Sequence, residues 1–160
     1  MGLFNDKMCK DWLRDLGVRQ PPLRYAFNNR AVVIIVDGAT KQHEHTRFFV
    51  EVECRREDAI TNLAKYWHIL ENIPQFGVTL VHVVFPEYPH RERDLPPLGY
   101  IGQKMMDDYG GRFDYQLRDF GNECLRLEAE SDDQYVRHIR SFFERVVTER
   151  LQLWEANHGR

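Results

Sequence analysis

The chain has 160 residues, of which 42% are hydrophobic, and its 25 aspartates and glutamates outnumber its 22 lysines and arginines. This length and apolar content suit a single domain over residues 1–160, and the lack of a long apolar stretch excludes a transmembrane span. The net charge of -3 argues against a protein that binds nucleic acid over its whole surface, although local basic patches are compatible with it.

The N-terminal segment and the cysteines indicate where the protein resides. The segment lacks the basic start and the apolar run of a secretory signal, so we expect a cytoplasmic protein with no membrane partner. Cys9, Cys54 and Cys124 are widely spaced and form no Cys-x-x-Cys pair, which favours reduced core thiols over a disulfide framework or a zinc site.

The first half of the chain predicts helices and strands in alternation. Apolar residues recur at helical spacing near the N-terminus, and a β-branched run before Asp37 predicts a buried strand. In chain order, the predicted elements are a helix over 6–16, an extended segment over 23–27, strands over 31–36 and 47–54, a helix over 56–70 and a strand over 78–85. The apolar face of the second helix is predicted to comprise Ile60, Leu63, Ala64, Trp67 and Leu70.

The second half begins with a polar, proline-interrupted segment over 86–97 that predicts a loop. A short helix over 101–109 and a half-buried strand over 113–118 follow, and Cys124, Leu125 and Leu127 are expected to continue the β structure. Ser131 and Gln134 have the pattern of a capping box at the start of a long C-terminal helix. The whole pattern predicts an α/β fold with a central mixed β-sheet flanked by helices.

Two carboxylates lie side by side in the predicted strand over 47–54. Because alternate side chains of a strand share a face, Glu51 and Glu53 project to one side and the apolar residues between them to the other. Such a pair repels unless a proton or a cation intervenes, and a divalent metal is the natural candidate. Asp37 adds a third oxygen ligand if the two strands form a hairpin, and Mg²⁺ prefers oxygen ligands. The alternative is that these carboxylates are simply solvated.

A helix, a hairpin that carries Asp37 and Glu51-Val52-Glu53, a second helix and a buried strand resemble the core of the PD-(D/E)xK, or restriction-endonuclease-like, nuclease superfamily. The resemblance covers residues 6–85. Phe48-Phe49-Val50-Glu51-Val52-Glu53, followed by a helix with Lys65-Tyr66, is also similar to the nuclease-like half of replication-relaxation proteins from mobile elements, which is the weaker comparison.

The resemblance implies metal-dependent hydrolysis of phosphodiester bonds, with DNA as the expected substrate. Asp37, Glu51 and Glu53 would hold Mg²⁺ or Mn²⁺, which lowers the pKa of a bound water and neutralises charge on the phosphate. Basic residues beside this centre would contact the nucleic acid, with surface solubilisation as the alternative. The nucleic-acid-binding candidates are Arg55, Arg56, His90, Arg91 and Arg93.

Two residues depart from the family pattern. Val36 stands in place of the motif proline, which binds no metal, and Glu53 replaces the lysine that positions the attacking water. Some restriction endonucleases of this fold have glutamate at that place, and other family members move the lysine to the following helix, where Lys65 is available. A solvated polar helix face that contains Lys65 is the competing interpretation.

The missing strand lysine also favours a second function of a different class. In this alternative the protein is a catalytically inactive nuclease-fold subunit that binds nucleic acid or assembles with a partner protein or a second copy of itself. Leu153 and Trp154, near the end of the C-terminal helix, offer one interaction surface, and packing of that helix on the core explains the same residues.

Overall fold

A mixed four-stranded β-sheet with helices on both faces organises the computed structural model, which describes residues 2–19, 22–55 and 59–158. The described helices are α1 (Asp6–Asp15), α2 (Ala59–Asn72), α3 (Arg91–Tyr109), α4 (Phe120–Glu123) and α5 (Asp132–His158). The described strands are β1 (Leu23–Phe27), β2 (Arg30–Ile34), β3 (Gly38–Ala39), β4 (Thr46–Glu53), β5 (Gly77–Val84) and β6 (Phe113–Asp119). The predicted α/β class is confirmed.

The sheet has the strand order β3, β4, β5, β6. The short strand β3 runs antiparallel to β4, with Gly38 opposite Val50, whereas β4, β5 and β6 are parallel to one another. In the parallel part, Glu51 of β4 lies beside His82 of β5. The two central strands are therefore covered on both faces, as near-continuous apolar parallel strands require.

Alternation along β4 divides its side chains between two cores. Phe48, Val50 and Val52 pack with α1 and α5 on one face of the sheet. Phe49 packs with α2 and α3 on the other face. The predicted separation of Glu51 and Glu53 from their apolar neighbours is confirmed, because their side chains contact groups from α2 and β5 rather than the α1 and α5 core.

The strand predicted over 31–36 is corrected in its bounds, its partner and its burial. It runs over Arg30–Ile34 and pairs with β1 in a separate two-stranded sheet, with the turn at Asn28 and Asn29 in the left-handed region. Ile35 is 76% exposed rather than buried. A β-branched run specifies an extended backbone, but it does not specify which strand will satisfy its hydrogen bonds.

Three further expectations are wrong. Of the segment predicted as a loop over 86–97, residues 86–90 are irregular as expected, but 91–97 form the first turns of α3, which contains Pro96 and Pro97. The region of Cys124 to Leu127 has irregular backbone rather than a strand, and it follows directly after α4. On α2 the buried residues are Ala59, Leu63, Tyr66, Ile69 and Leu70, whereas Ile60, Ala64 and Trp67 of the predicted face are exposed.

The C-terminal helix is confirmed in its start and in its packing. The backbone N–H of Ser131 donates to Gln134, and the backbone N–H of Gln134 donates to the Ser131 hydroxyl, which completes the predicted capping box. Trp154 is buried against Phe48 of β4, so core packing accounts for this residue, while Leu153 is 49% exposed. Within the described residues, the structure shows no helix with the length and apolarity needed to cross a membrane.

Candidate functional site

Four carboxylates and two lysines line one polar cavity of about 180 Å³, at the edge of the sheet where β3 meets β4. The cavity lies between α1, the segment that leads from β2 into β3, the end of β4 and the start of α2. Its lining residues are Asp6, Lys10, Ile35, Val36, Asp37, Glu51, Val52, Glu53, Asn62 and Lys65. The structure therefore brings together Asp37, Glu51, Glu53 and Lys65, all four of which the sequence named as catalytic candidates.

Asp37 immediately precedes β3 and is fixed against β4 by its own side chain. Its Oδ2 accepts a hydrogen bond of 2.9 Å from the backbone N–H of Val52, and Lys10 Nζ lies 3.9 Å from its Oδ1. Continuing the register of Gly38 with Val50 by one residue places Asp37 opposite Glu51. The hairpin that was expected to pair Asp37 with the strand of the Glu residues thus exists, with β3 rather than β2 as the partner of β4.

Glu51 is buried and takes both of its described contacts from α2. Its Oε1 accepts hydrogen bonds from Lys65 Nζ, at 2.7 Å, and from the hydroxyl of Tyr66. Burial is the largest cause that raises the pKa of Glu51, to about 8; the charge of Asp37 raises it further and Lys65 opposes the rise. Burial also raises the pKa of Asp37. A proton therefore competes with other cations for the Glu51 carboxylate near neutral pH.

Glu53 is held from two sides. Its Oε1 accepts a hydrogen bond of 2.8 Å from the Asn62 side chain and lies 2.8 Å from His82 Nε2. The other ring nitrogen of His82 lies 3.2 Å from the hydroxyl of Tyr115. This buried chain of polar groups fixes the carboxylate in one orientation beside the cavity.

Lys65 reaches the cavity from the first turns of α2 and meets three oxygens there. Its Nζ lies 2.7 Å from Glu51 Oε1, 2.9 Å from the carbonyl oxygen of Ile35 and 3.3 Å from Asn62 Oδ1. The competing interpretation of Lys65 as part of a solvated helix face does not describe this position, since its side chain is only 17% exposed.

Lys65 Nζ contacts the Glu51 carboxylate and the Ile35 carbonyl oxygen, and oxygen atoms of these kinds are the ligands that hard divalent cations prefer. The described residues contain no group of three His, Cys, Asp or Glu side chains arranged to hold a metal ion. Mg²⁺ does not require such a cage, because it usually binds through one or two carboxylates and keeps several waters.

The basic candidates outside the cavity are placed differently. Arg55 donates to the carbonyl oxygen of Gly2, and Arg91 pairs with Asp119 at 2.6 Å. Arg93 pairs with Asp94, and the ring of His90 packs against Tyr88. Arg56 lies outside the described residues. The cavity lining, as far as the structure describes it, includes none of these side chains, so their contact with nucleic acid stays a prediction.

Sequence reasoning missed several residues of the site. Tyr66, Asn62 and His82 hold the two glutamates, and Lys10 enters the cavity from α1. His82 offered one signal, because a histidine inside the apolar strand over 78–85 needs a buried partner. The signal for Tyr66 and Asn62 was hidden by the wrong choice of buried face on α2.

Comparison with known proteins gives no further assignment: no protein-family model, no curated protein and no solved structure matches this chain.

Proposed function

We propose that this protein is a metal-dependent nuclease that hydrolyses phosphodiester bonds, with DNA as its expected substrate. The observation that carries the proposal is the single cavity lined by Asp37, Glu51, Glu53 and Lys65. The order of α1, the β3–β4 hairpin, α2 and the parallel strand β5 supports a restriction-endonuclease-like core, with the separate β1–β2 sheet inserted between α1 and β3.

Each residue has a defined part in this proposal. Asp37 and Glu51 would hold Mg²⁺ or Mn²⁺, and Glu53, which His82 contacts, would be the third carboxylate beside the ion. When bound, the metal supplies a water of lowered pKa and neutralises charge on the phosphate. Lys65 Nζ, the only ammonium within hydrogen-bond distance of Glu51 among the described residues, positions the attacking water, which is the part the family lysine plays.

Cleavage assays with metal-site variants test this function. We expect cleavage of duplex DNA, single-stranded DNA or RNA in Mg²⁺ or Mn²⁺, none in EDTA, and at least a 100-fold loss in both Asp37→Asn and Glu51→Gln. Glu155→Gln, an exposed carboxylate of α5, is the matched control and should cleave normally. Undiminished cleavage in either cavity variant, or in EDTA, would exclude this centre.

A second candidate function is a catalytically inactive nuclease-fold subunit that binds nucleic acid or a protein partner. The observation that favours it is internal satisfaction of the carboxylates, since Lys65 pairs with Glu51 and both Asn62 and His82 contact Glu53. This candidate gains if Mn²⁺ leaves the melting temperature unchanged and no nucleic acid is cut. Size-exclusion chromatography with light scattering then tests for a dimer or a bound partner.

A further inference from the structure

A second cavity, of about 410 Å³, meets the acidic cavity at α1. Its lining residues are Lys10, Arg14, Val18 and Arg19, and Lys10 lines both cavities. We call this second cavity the cationic groove. Its described lining contains three positive side chains and no carboxylate, so the charge reverses from negative to positive across Lys10.

The backbone fixes the cationic groove relative to Asp37. Lys10 and Arg14 lie four residues apart on α1, so their side chains share one helix face. The helix ends at Asp15, Gly17 turns the chain with a φ of +77°, and the carbonyl of Arg19 accepts a 2.6 Å hydrogen bond from Ala39 N of β3. That anchor lies two residues from Asp37, so the groove lies beside the acidic cavity, and Lys10 lines both.

Neighbouring acids reduce the positive charge of the groove only in part. Asp11 pairs with Arg14 at 2.8 Å, but both side chains are exposed to solvent, and exposed ion pairs are weak. Asp15 is engaged by Arg140 of α5 at 3.0 Å, and Asp6 lines the acidic cavity rather than the groove. Among the described salt bridges of Lys10, the nearest acid is Asp37, whose Oδ1 lies 3.9 Å from Lys10 Nζ.

We infer that the cationic groove binds the phosphodiester backbone of a nucleic acid on one side of the phosphate that enters the acidic cavity. This inference rests on the proposed nuclease function and names the path of its substrate. The contacts are to phosphates, so binding is independent of base sequence and weakens steeply with salt. The residues that make these phosphate contacts lie on α1 and in the turn that follows α1.

Fluorescence anisotropy with labelled 30-mer oligonucleotides, single-stranded and duplex, tests the groove in EDTA, where no metal supports cleavage. The test variant is Arg14→Gln/Arg19→Gln, which leaves Lys10 and its contact with Asp37 in place. The matched control is Lys41→Gln/Lys104→Gln, which removes two exposed positive charges from the β3–β4 turn and from α3. Thermal melting of each variant confirms that it is folded.

We expect the test variant to bind at least about tenfold more weakly than wild type, with the slope of log affinity against log salt reduced by about 2. The control should bind like wild type. The inference is overturned if wild type does not bind, if the test variant binds equally well, or if the control loses as much affinity.

Cleavage measured in Mg²⁺ separates this inference from the proposed function. If cleavage depends on Asp37 and Glu51 but is unchanged in Arg14→Gln/Arg19→Gln at limiting substrate concentration, the proposed nuclease function is supported and binding by the groove is excluded. If nucleic-acid binding depends on Arg14 and Arg19 but the protein cleaves no nucleic acid, binding by the groove is supported and the proposed nuclease function is excluded.

Discussion

His82 Nε2 lies 2.8 Å from Glu53 Oε1, and the two side chains are 0% and 1% exposed. The contact joins neighbouring parallel strands on the α2 face of the sheet, directly behind the acidic cavity. Because a buried carboxylate costs free energy when it loses a partner, this contact links the stability of the sheet to the orientation of a candidate metal ligand.

Replacing His82 should therefore destabilise the protein more than replacing its outer partner. We expect His82→Phe to lower the free energy of unfolding by about 2–4 kcal/mol, since Glu53 loses a buried partner. Tyr115→Phe removes only the hydroxyl that contacts His82 Nδ1 and should cost about 1 kcal/mol. Urea denaturation measures both. Equal losses in the two variants would show that His82 does not stabilise Glu53.

Stability of the metal-free protein should fall as the pH rises from about 5 to 8. Glu51 has a pKa of about 8 in the folded protein against an ordinary value of 4.5, so the folded state binds more protons than the unfolded state in this window. The loss amounts to a few kcal/mol at most, since one pKa unit corresponds to about 1.4 kcal/mol, and it levels off above pH 8. Burial of Asp37 acts in the same direction.

Glu51→Gln isolates that effect, because the amide keeps the shape of the side chain and does not titrate. Its stability in EDTA, followed by thermal melting at several pH values, should vary much less between pH 5 and 8 than that of wild type. A pH dependence as steep as that of wild type would assign the effect to other groups.

Lys65→Met should separate metal binding from catalysis. In the proposed metal site the Lys65 ammonium would compete with the metal for Glu51 Oε1, so its removal should preserve or enlarge any rise in melting temperature caused by Mn²⁺. Cleavage should fall by about 100-fold or more if Lys65 positions the attacking water. Lys41→Met is the matched control. Unchanged cleavage in Lys65→Met would give the water-positioning part to another residue.

Glu53→Lys installs the lysine that the family pattern has at this place, yet the structure predicts damage rather than repair. The new ammonium would be buried against the Asn62 amide, which donates to Glu53 Oε1, and against the His82 ring nitrogen that contacts the same oxygen. We expect the melting temperature to fall by about 10 °C, corresponding to a few kcal/mol, and Glu53→Gln to lose less. A Glu53→Lys protein that melts like wild type would contradict this account.

Local sequence was sufficient for the elements whose pattern is long or strongly periodic. The strand over 78–85 and the helix that starts after Ser131 were predicted within a residue or two, because β-branched continuity and a capping box act through neighbours in the chain. The alternation that put Glu51 and Glu53 on one face was equally local, since the side-chain period of a strand is fixed by its backbone.

The tertiary structure determined those features in which contacts between distant segments compete with local sequence preferences. The prolines of 86–97 suggested a loop, but α3 begins at Arg91 and includes Pro96 and Pro97, and the Tyr88 hydroxyl contacts Asp94 in its first turn. On α2 the buried face differs from the one predicted, and it brings Tyr66 to Glu51. Tertiary packing can thus override the face that hydrophobic periodicity predicts.

The sequence by itself was sufficient to identify the acidic residues of the site, the α/β class and the lysine on the helix that follows the Glu-x-Glu strand. Only the tertiary structure decided that β3 rather than β2 pairs with the Glu-x-Glu strand, that Lys65 reaches Glu51, and that α1 lays Lys10 beside Asp37. The physical reason is that strand and helix periods are local properties of the backbone, whereas partner choice depends on which segments bury the most apolar surface while every buried polar group is satisfied.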